Sequence, residues 1–228
     1  MLGNVGWETG DAPANIVDGS ITSEGWTSYL NSSFATLPGA HSDAEIAQLV
    51  RTVAHAFEAD FAVAPLKAYK GLLSTYALTC GATSLAKAAK AAKAFRSPFY
   101  TFLNLWSPQQ TQWAADCTIP RWAYHTWDLS VVLEAWHIGW PGNCNYTPTA
   151  SDLRHSRFLQ RSWYEFMQTG RMDKAGWRSA EEAGAAWPRL SSTMVIQDPP
   201  INVVGHSAQI CAALEGAMAP GELYWWIN

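Results

Sequence analysis

Phe99-Tyr100-Thr101-Phe102-Leu103-Asn104-Leu105-Trp106 is short, aromatic and preceded by Pro98, and it reads as a buried β-strand. Helical patterns flank it. Upstream, residues 83–95 form an Ala-rich helix on which Lys87, Lys90 and Lys93 make a solvated stripe. Residues 66–79 read as a second helix. A third starts at Ser42, where Ser42 and Glu45 give a capping-box pattern and Ile46, Leu49, Val50 and Val53 share one face. Residues 11–41, rich in Gly, Ser, Asn and Pro, read mostly as loop. Met1 to Val5 reads as the end of a strand that runs into the turn Gly6-Trp7-Glu8-Thr9-Gly10.

Downstream, residues 107–127 read as irregular and Leu129 to Trp136 as a short apolar helix. Residues 151–169 give the clearest amphipathic pattern, with Leu153, Phe158, Leu159, Trp163, Phe166 and Met167 as its apolar face and Gly170 as its stop. Thr193 to Ile196 and Ile201 to Val204 read as strands, and Ala208 to Leu214 as a last helix. Strands this far apart need helix-length crossovers, which is the α/β arrangement. Four strands make a small sheet, so the pattern predicts an incomplete sheet flanked by helices, part of a larger domain.

Composition narrows the function classes. Thirteen Trp, eight Tyr and eight Phe in 228 residues supply too much apolar surface for a disordered chain. A net charge of -4 argues against a nucleic-acid partner. No apolar run reaches the length of a membrane span, and the first residues lack the basic and apolar regions of a signal peptide. The four cysteines, Cys80, Cys117, Cys144 and Cys211, form no C-x-x-C pair. With the sequons at Asn31 and Asn145 they favour a secretory-pathway protein with two disulfides. The missing leader is then a first hint that the chain lacks its natural beginning. No metal motif or nucleotide-binding loop is visible.

Two residues stand out chemically. Glu8 follows a strand end between Gly6 and Gly10, where α/β enzymes often place function; the bland alternative is a solvated turn residue. His125 lies in Trp122-Ala123-Tyr124-His125-Thr126-Trp127-Asp128-Leu129, after the aromatic strand and just before a helix. A histidine there has the titration range of a general base, or is simply packed.

Together they resemble the acid and base of the type-B carboxylesterases, the family that includes the cholinesterases. Gly3-Asn4-Val5-Gly6-Trp7-Glu8 is similar to the family's segment carrying the acid, with Thr9 where Gly is usual. His125-Thr126-Trp127-Asp128-Leu129 is similar to its His-x-x-Glu-Leu setting, with Asp for Glu. Phe99-Tyr100-Thr101-Phe102 resembles the strand before the base. Trp163-Tyr164-Glu165-Phe166-Met167-Gln168-Thr169-Gly170, followed by Trp187-Pro188, resembles the late helix and is the most specific match. The resemblance runs from about residue 1 to 214 and implies that residues 1–228 are the C-terminal segment of an α/β-hydrolase domain.

It further implies a serine-dependent carboxylic ester hydrolase acting on a small-molecule ester, with no metal or other cofactor. The nucleophile and oxyanion loop would lie on a missing N-terminal part of the same domain. It pairs Cys80 with Cys211, leaving Cys117 for Cys144; the sequence alone permits three connectivities. Gly205-His206-Ser207-Ala208-Gln209 is a poor nucleophile elbow, because Gln209 is bulky and the serine falls last in the chain order of the triad. Ser207 reads instead as a helix cap. The chain alone is therefore expected to be inactive. The alternatives are a non-catalytic cholinesterase-like adhesion module and a Trp-rich carbohydrate binder, which needs several Trp exposed on one face. Trp122, Trp127, Trp136 and Trp140 near His125 either line a substrate pocket or merely pack.

Overall fold

A computed structural model describes residues 2–5, 12–37, 41–94, 98–110, 122–124, 127–136, 146–182 and 192–216. In chain order these form β1 (Leu2–Val5), α1 (Ala14–Val17), α2 (Ser23–Phe34), α3 (Asp43–Ala56), α4 (Glu58–Val63) and α5 (Pro65–Ser74). A π-helical turn, Thr75–Cys80, leads into α6 (Gly81–Ala91). Then come β2 (Thr101–Asn104), α7 (Trp127–Val132), α8 (Ala150–Thr169), a 3-10 turn at Asp173–Ala175, β3 (Ser192–Ile196), β4 (Ile201–Val204) and α9 (Ala208–Gly216).

The chain forms two compact units. One comprises Met1–Gly6 and Ala86–His206, the other Trp7–Leu85 and Ser207–Asn228. The first holds a four-stranded sheet of order β1-β2-β3-β4. β1 runs parallel to β2 with Val5 opposite Asn104, β2 parallel to β3 with Asn104 opposite Ile196, and β4 antiparallel to β3. Every residue of β2 and β3 is buried, as expected of interior parallel strands, whereas β4 is partly exposed.

α8 is capped at both ends. Thr149 and Asp152 form a capping box, and Gly170 takes the left-handed conformation at φ 68°. Its buried stripe is mostly polar: Asp152, His155, Ser156, Leu159 and Ser162. Of the apolar face read from the sequence, Leu159 is buried, Leu153, Phe158, Trp163 and Phe166 are half-buried, and Met167 is 73% exposed. The serines of this stripe are hydrogen-bonded. Ser156 Oγ donates to Glu134, Trp177 Nε1 donates to Ser162 Oγ, and Ser162 Oγ donates to the Phe158 carbonyl.

The second unit is helical. Trp26, Leu30 and Phe34 of α2, Leu49, Val50 and Val53 of α3, Ala68, Tyr69 and Leu72 of α5, and Ile210 and Leu214 of α9 share one core. The Cys80–Cys211 disulfide lies in that core. Ser42 and Glu45 make the capping box the sequence predicts for α3. Residues 11–41 are not mostly loop: α1 and α2 occupy much of the stretch. α2 is rich in Ser, Gly and Asn, weak helix formers, so propensity hid it; burial of Trp26, Leu30 and Phe34 at i, i+4 and i+8 holds it. Thr22 adds a cap by accepting the Gly25 N–H at 3.1 Å. Among the described residues no helix is long and apolar enough to cross a membrane.

Candidate active-site edge of the sheet

Parallel β1 and β2 end at the same edge of the sheet, and the carboxyl edge of an α/β sheet is where ligands bind. Glu8 and His125 both lie outside the described residues, as do Cys117, Cys144 and Asn145. Their neighbours along the chain are described. Val5, three residues before Glu8, pairs with Asn104 at the end of β2. Trp127, two residues after His125, opens α7 and donates its indole N–H to the Trp106 carbonyl at 2.7 Å. Trp106 is two residues past the end of β2. The segments carrying the acid and base candidates are thus attached at neighbouring strand ends.

Asn104 is fully buried at this edge. Its Oδ1 accepts the Trp106 N–H at 3.0 Å, while Nδ2 has no partner among the described residues. Beside it lies a polar network the sequence did not reveal. Asp152, also fully buried, accepts from Trp106 Nε1 at 3.1 Å, Tyr146 OH at 2.6 Å, and Thr149 N and Oγ1 at 2.8 Å each. Tyr146 OH also accepts the Gln109 N–H at 3.0 Å. Burial and the Asp152 carboxylate raise the Tyr146 pKa, so the phenol stays protonated and donates. The Thr149-x-x-Asp152 spacing was readable as a helix start, but burial of its carboxylate was not.

His155, one helical turn after Asp152, stacks on Trp106 at 4.9 Å between ring centroids. Burial pushes its pKa down to about 3, and its Nε2 has no partner among the described residues. It is therefore neutral at physiological pH. Trp127 and Trp136 pack against Tyr146 at 5.5 and 5.9 Å, so both contribute to a core. Trp122 is half-buried and Trp140 lies outside the described residues. Among the described residues no tryptophan is exposed.

Ser207 occupies a sharp strand-to-helix turn between β4 and α9, at φ 59°, which superficially resembles a nucleophile elbow. The sheet argues against that role. β4 runs opposite to the other strands and its last residue, Val204, pairs with Ser192 at the start of β3. Ser207 therefore follows the chain out of the sheet at the edge opposite the ends of β1 and β2. Its carbonyl accepts the Cys211 N–H at 2.9 Å and starts α9. The helical unit has a separate cavity of about 210 Å³, lined by Phe34, Leu37, His41, Ile46, Leu49 and Ala213 among others. Among the described residues no His, Cys, Asp and Glu cluster has the makings of a metal site.

Solved structures share this architecture. An esterase from Clostridium hathewayi, described as able to hydrolyze aliphatic aromatic polyesters, superposes with a TM-score of 0.56 at 16% identity. The match covers 95% of this chain and 37% of that one. The fold is part of an α/β-hydrolase fold. A thermophilic pNB esterase gives 0.51 at 16% identity over 82% of this chain, and another pNB esterase structure 0.50 at 15% over 85%. The chain spans about a third of the length of the two pNB esterases, 33% of each. No protein-family model matches the chain, and no curated protein matches it. The Cys80–Cys211 bridge is the pairing that the resemblance implied.

Proposed function

We propose that residues 1–228 form the C-terminal segment of a carboxylesterase-type serine hydrolase, with Glu8 as the triad acid and His125 as its base. One observation supports this reading: Val5, three residues before Glu8, ends β1 beside the end of β2, and Trp127, two residues after His125, bonds Trp106 just past that same end. In the complete domain, a serine on the N-terminal part would attack the carbonyl of a small-molecule ester. His125 would take the serine proton and return it to the leaving alcohol. Glu8 would accept a hydrogen bond from the other imidazole nitrogen, fixing its tautomer and stabilising the imidazolium. The first parallel strand, β1, pairs only with β2 among the described residues, so its other edge suits a strand from that N-terminal part.

In this reading the nucleophile and the oxyanion donors belong to that N-terminal part, and loss of one such donor alone costs about 10²–10³ in rate. The 228-residue protein is expected to hydrolyse p-nitrophenyl acetate no faster than buffer, with Glu8→Gln and His125→Ala changing nothing. Turnover that Ser207→Ala abolishes would overturn the assignment of the nucleophile to another segment. The coding sequence upstream of Met1 decides between enzyme and adhesion module: a G-x-S-x-G elbow supports the former, a substituted serine the latter.

The compartment belongs to the same proposal. The Cys80–Cys211 bridge and the sequons at Asn31 and Asn145 suit passage through an oxidising secretory pathway. Asn31 is exposed on α2 and open to a glycan. Protein secreted from eukaryotic cells is expected to lose mass on treatment with an N-glycanase, and Asn31→Gln to remove part of that change. An unaltered mass would remove the glycoprotein reading.

A further inference from the structure

The cavity of the helical unit measures about 210 Å³, and Phe34, Leu37, Ile46, Leu49 and Ala213 supply its apolar wall. Every residue that lines it belongs to that one unit. Four polar side chains share the wall, and three of them are already engaged. Glu45 Oε2 accepts from Ser42 N and Oγ at 2.8 Å each, Gln48 Oε1 accepts from Arg51 Nη2 at 2.7 Å, and Thr52 Oγ1 donates to the Gln48 carbonyl at 3.0 Å. The fourth is His41, whose Nε2 is buried and has no partner among the described residues. A buried ring nitrogen without a partner forfeits the hydrogen bond that water would give it.

We propose that this cavity binds a small neutral alcohol or phenol, with its apolar body against Phe34, Ile46, Leu49 and Ala213 and its hydroxyl on His41 Nε2. Size sets the first limit. An apolar cavity of roughly 150 Å³ holds a benzene-sized molecule, so this one suits roughly eight to ten non-hydrogen atoms. The polar group follows from His41. A hydroxyl both donates and accepts, so it satisfies Nε2 in either tautomer of the ring, which a carbonyl or an ether does not. Charge sets the last limit. The N–H and hydroxyl of Ser42 hold the Glu45 carboxyl below its usual range, so the wall carries a negative charge and repels a carboxylate. The anion-attracting start of α3 offers no compensation, because the Glu45 carboxylate already occupies it as part of the capping box.

The test is NMR of the full 228-residue chain titrated with 4-ethylphenol, ethylbenzene or benzoate. 4-Ethylphenol is expected to shift the Ile46, Leu49 and Ala213 methyl signals saturably, with a Kd on the order of 0.1 mM. Benzoate, of the same atom count, is expected to bind at least about tenfold more weakly. His41→Leu should weaken 4-ethylphenol by about tenfold or more and leave ethylbenzene nearly unchanged, because only the phenol loses a partner. Ala213→Leu adds bulk to the wall and should weaken both. Absence of saturable shifts at these methyl groups would show that the cavity takes no such ligand. Benzoate binding as tightly as the phenol, or His41→Leu weakening both neutral probes equally, would remove the hydroxyl-specific site. Unchanged binding in Ala213→Leu would place the ligand elsewhere and overturn the proposal. Should that variant not fold, the response of the Ile46 and Leu49 methyl groups in the parent, together with His41→Leu, decides the matter.

Discussion

Replacing Cys80 and Cys211 together by alanine is expected to lower the unfolding free energy by about 5 kcal/mol, from the chain-entropy cost of opening a loop this long. The two cysteines are separated by 131 residues. The bridge joins the chain just before it leaves the helical unit at Leu85 to just after it returns at Ser207. In the unfolded protein it therefore restrains more than half of the sequence, and its removal releases that restraint. Because a domain's whole stability is about 5–15 kcal/mol, the loss is a large fraction of what holds the fold. Urea unfolding of the double alanine variant against the oxidised parent checks this. A shift worth less than about 1 kcal/mol would show that the unfolded chain gains little freedom, contrary to the loop-closure account.

Acidification should destabilise the protein well above the range in which carboxylates titrate. The ordinary His value of 6.5 is pushed down to about 3 at buried His155 in the folded state. Between those values the unfolded chain binds a proton that the folded chain refuses, so stability falls as pH drops from 6.5 toward 3. At pH 5 this one group costs about 2 kcal/mol, and more below that. His206, whose pKa burial also lowers, acts in the same direction. Asp173 and Glu45, whose hydrogen bonds hold their pKa values down, lose their contribution only as pH falls through the lower carboxylate range. The interval from pH 6.5 to 5 thus isolates the histidines. His155→Phe keeps a ring against Trp106 and removes the proton site, so its unfolding midpoint should vary less between pH 7 and 5 than the parent's. An equal slope in both proteins would assign the acid sensitivity elsewhere.

The sequence carried much of the fold because several elements declare themselves locally. Ser42 with Glu45 starts α3, Gly170 stops α8, and Phe99 to Trp106 contains β2, trimmed to Thr101–Asn104 where pairing begins. α2 was hidden because its propensity is poor and its reason to be helical is a buried face that only the core reveals. At the candidate site, Glu8 and His125 lie outside the described residues; of their neighbours, Val5 pairs with Asn104 at the end of β2 and Trp127 bonds Trp106 just beyond it. The Asp152 network was not legible. A Thr-x-x-Asp pattern says that a helix starts, and nothing in it says whether water or Trp106 and Tyr146 will meet the carboxylate.

By itself, then, the sequence determined the alternation of strands and helices and the caps, and it offered Glu8 and His125 as candidates for acid–base chemistry. These follow from local backbone preference and from periodicity, which act over a few residues. Tertiary structure decided which Cys residue Cys80 bridges, which face of α8 is buried, and on which edge Ser207 leaves the sheet. Those outcomes depend on strand direction and on partners tens of residues away, because a polar side chain can be buried only where folding brings it a matching donor or acceptor.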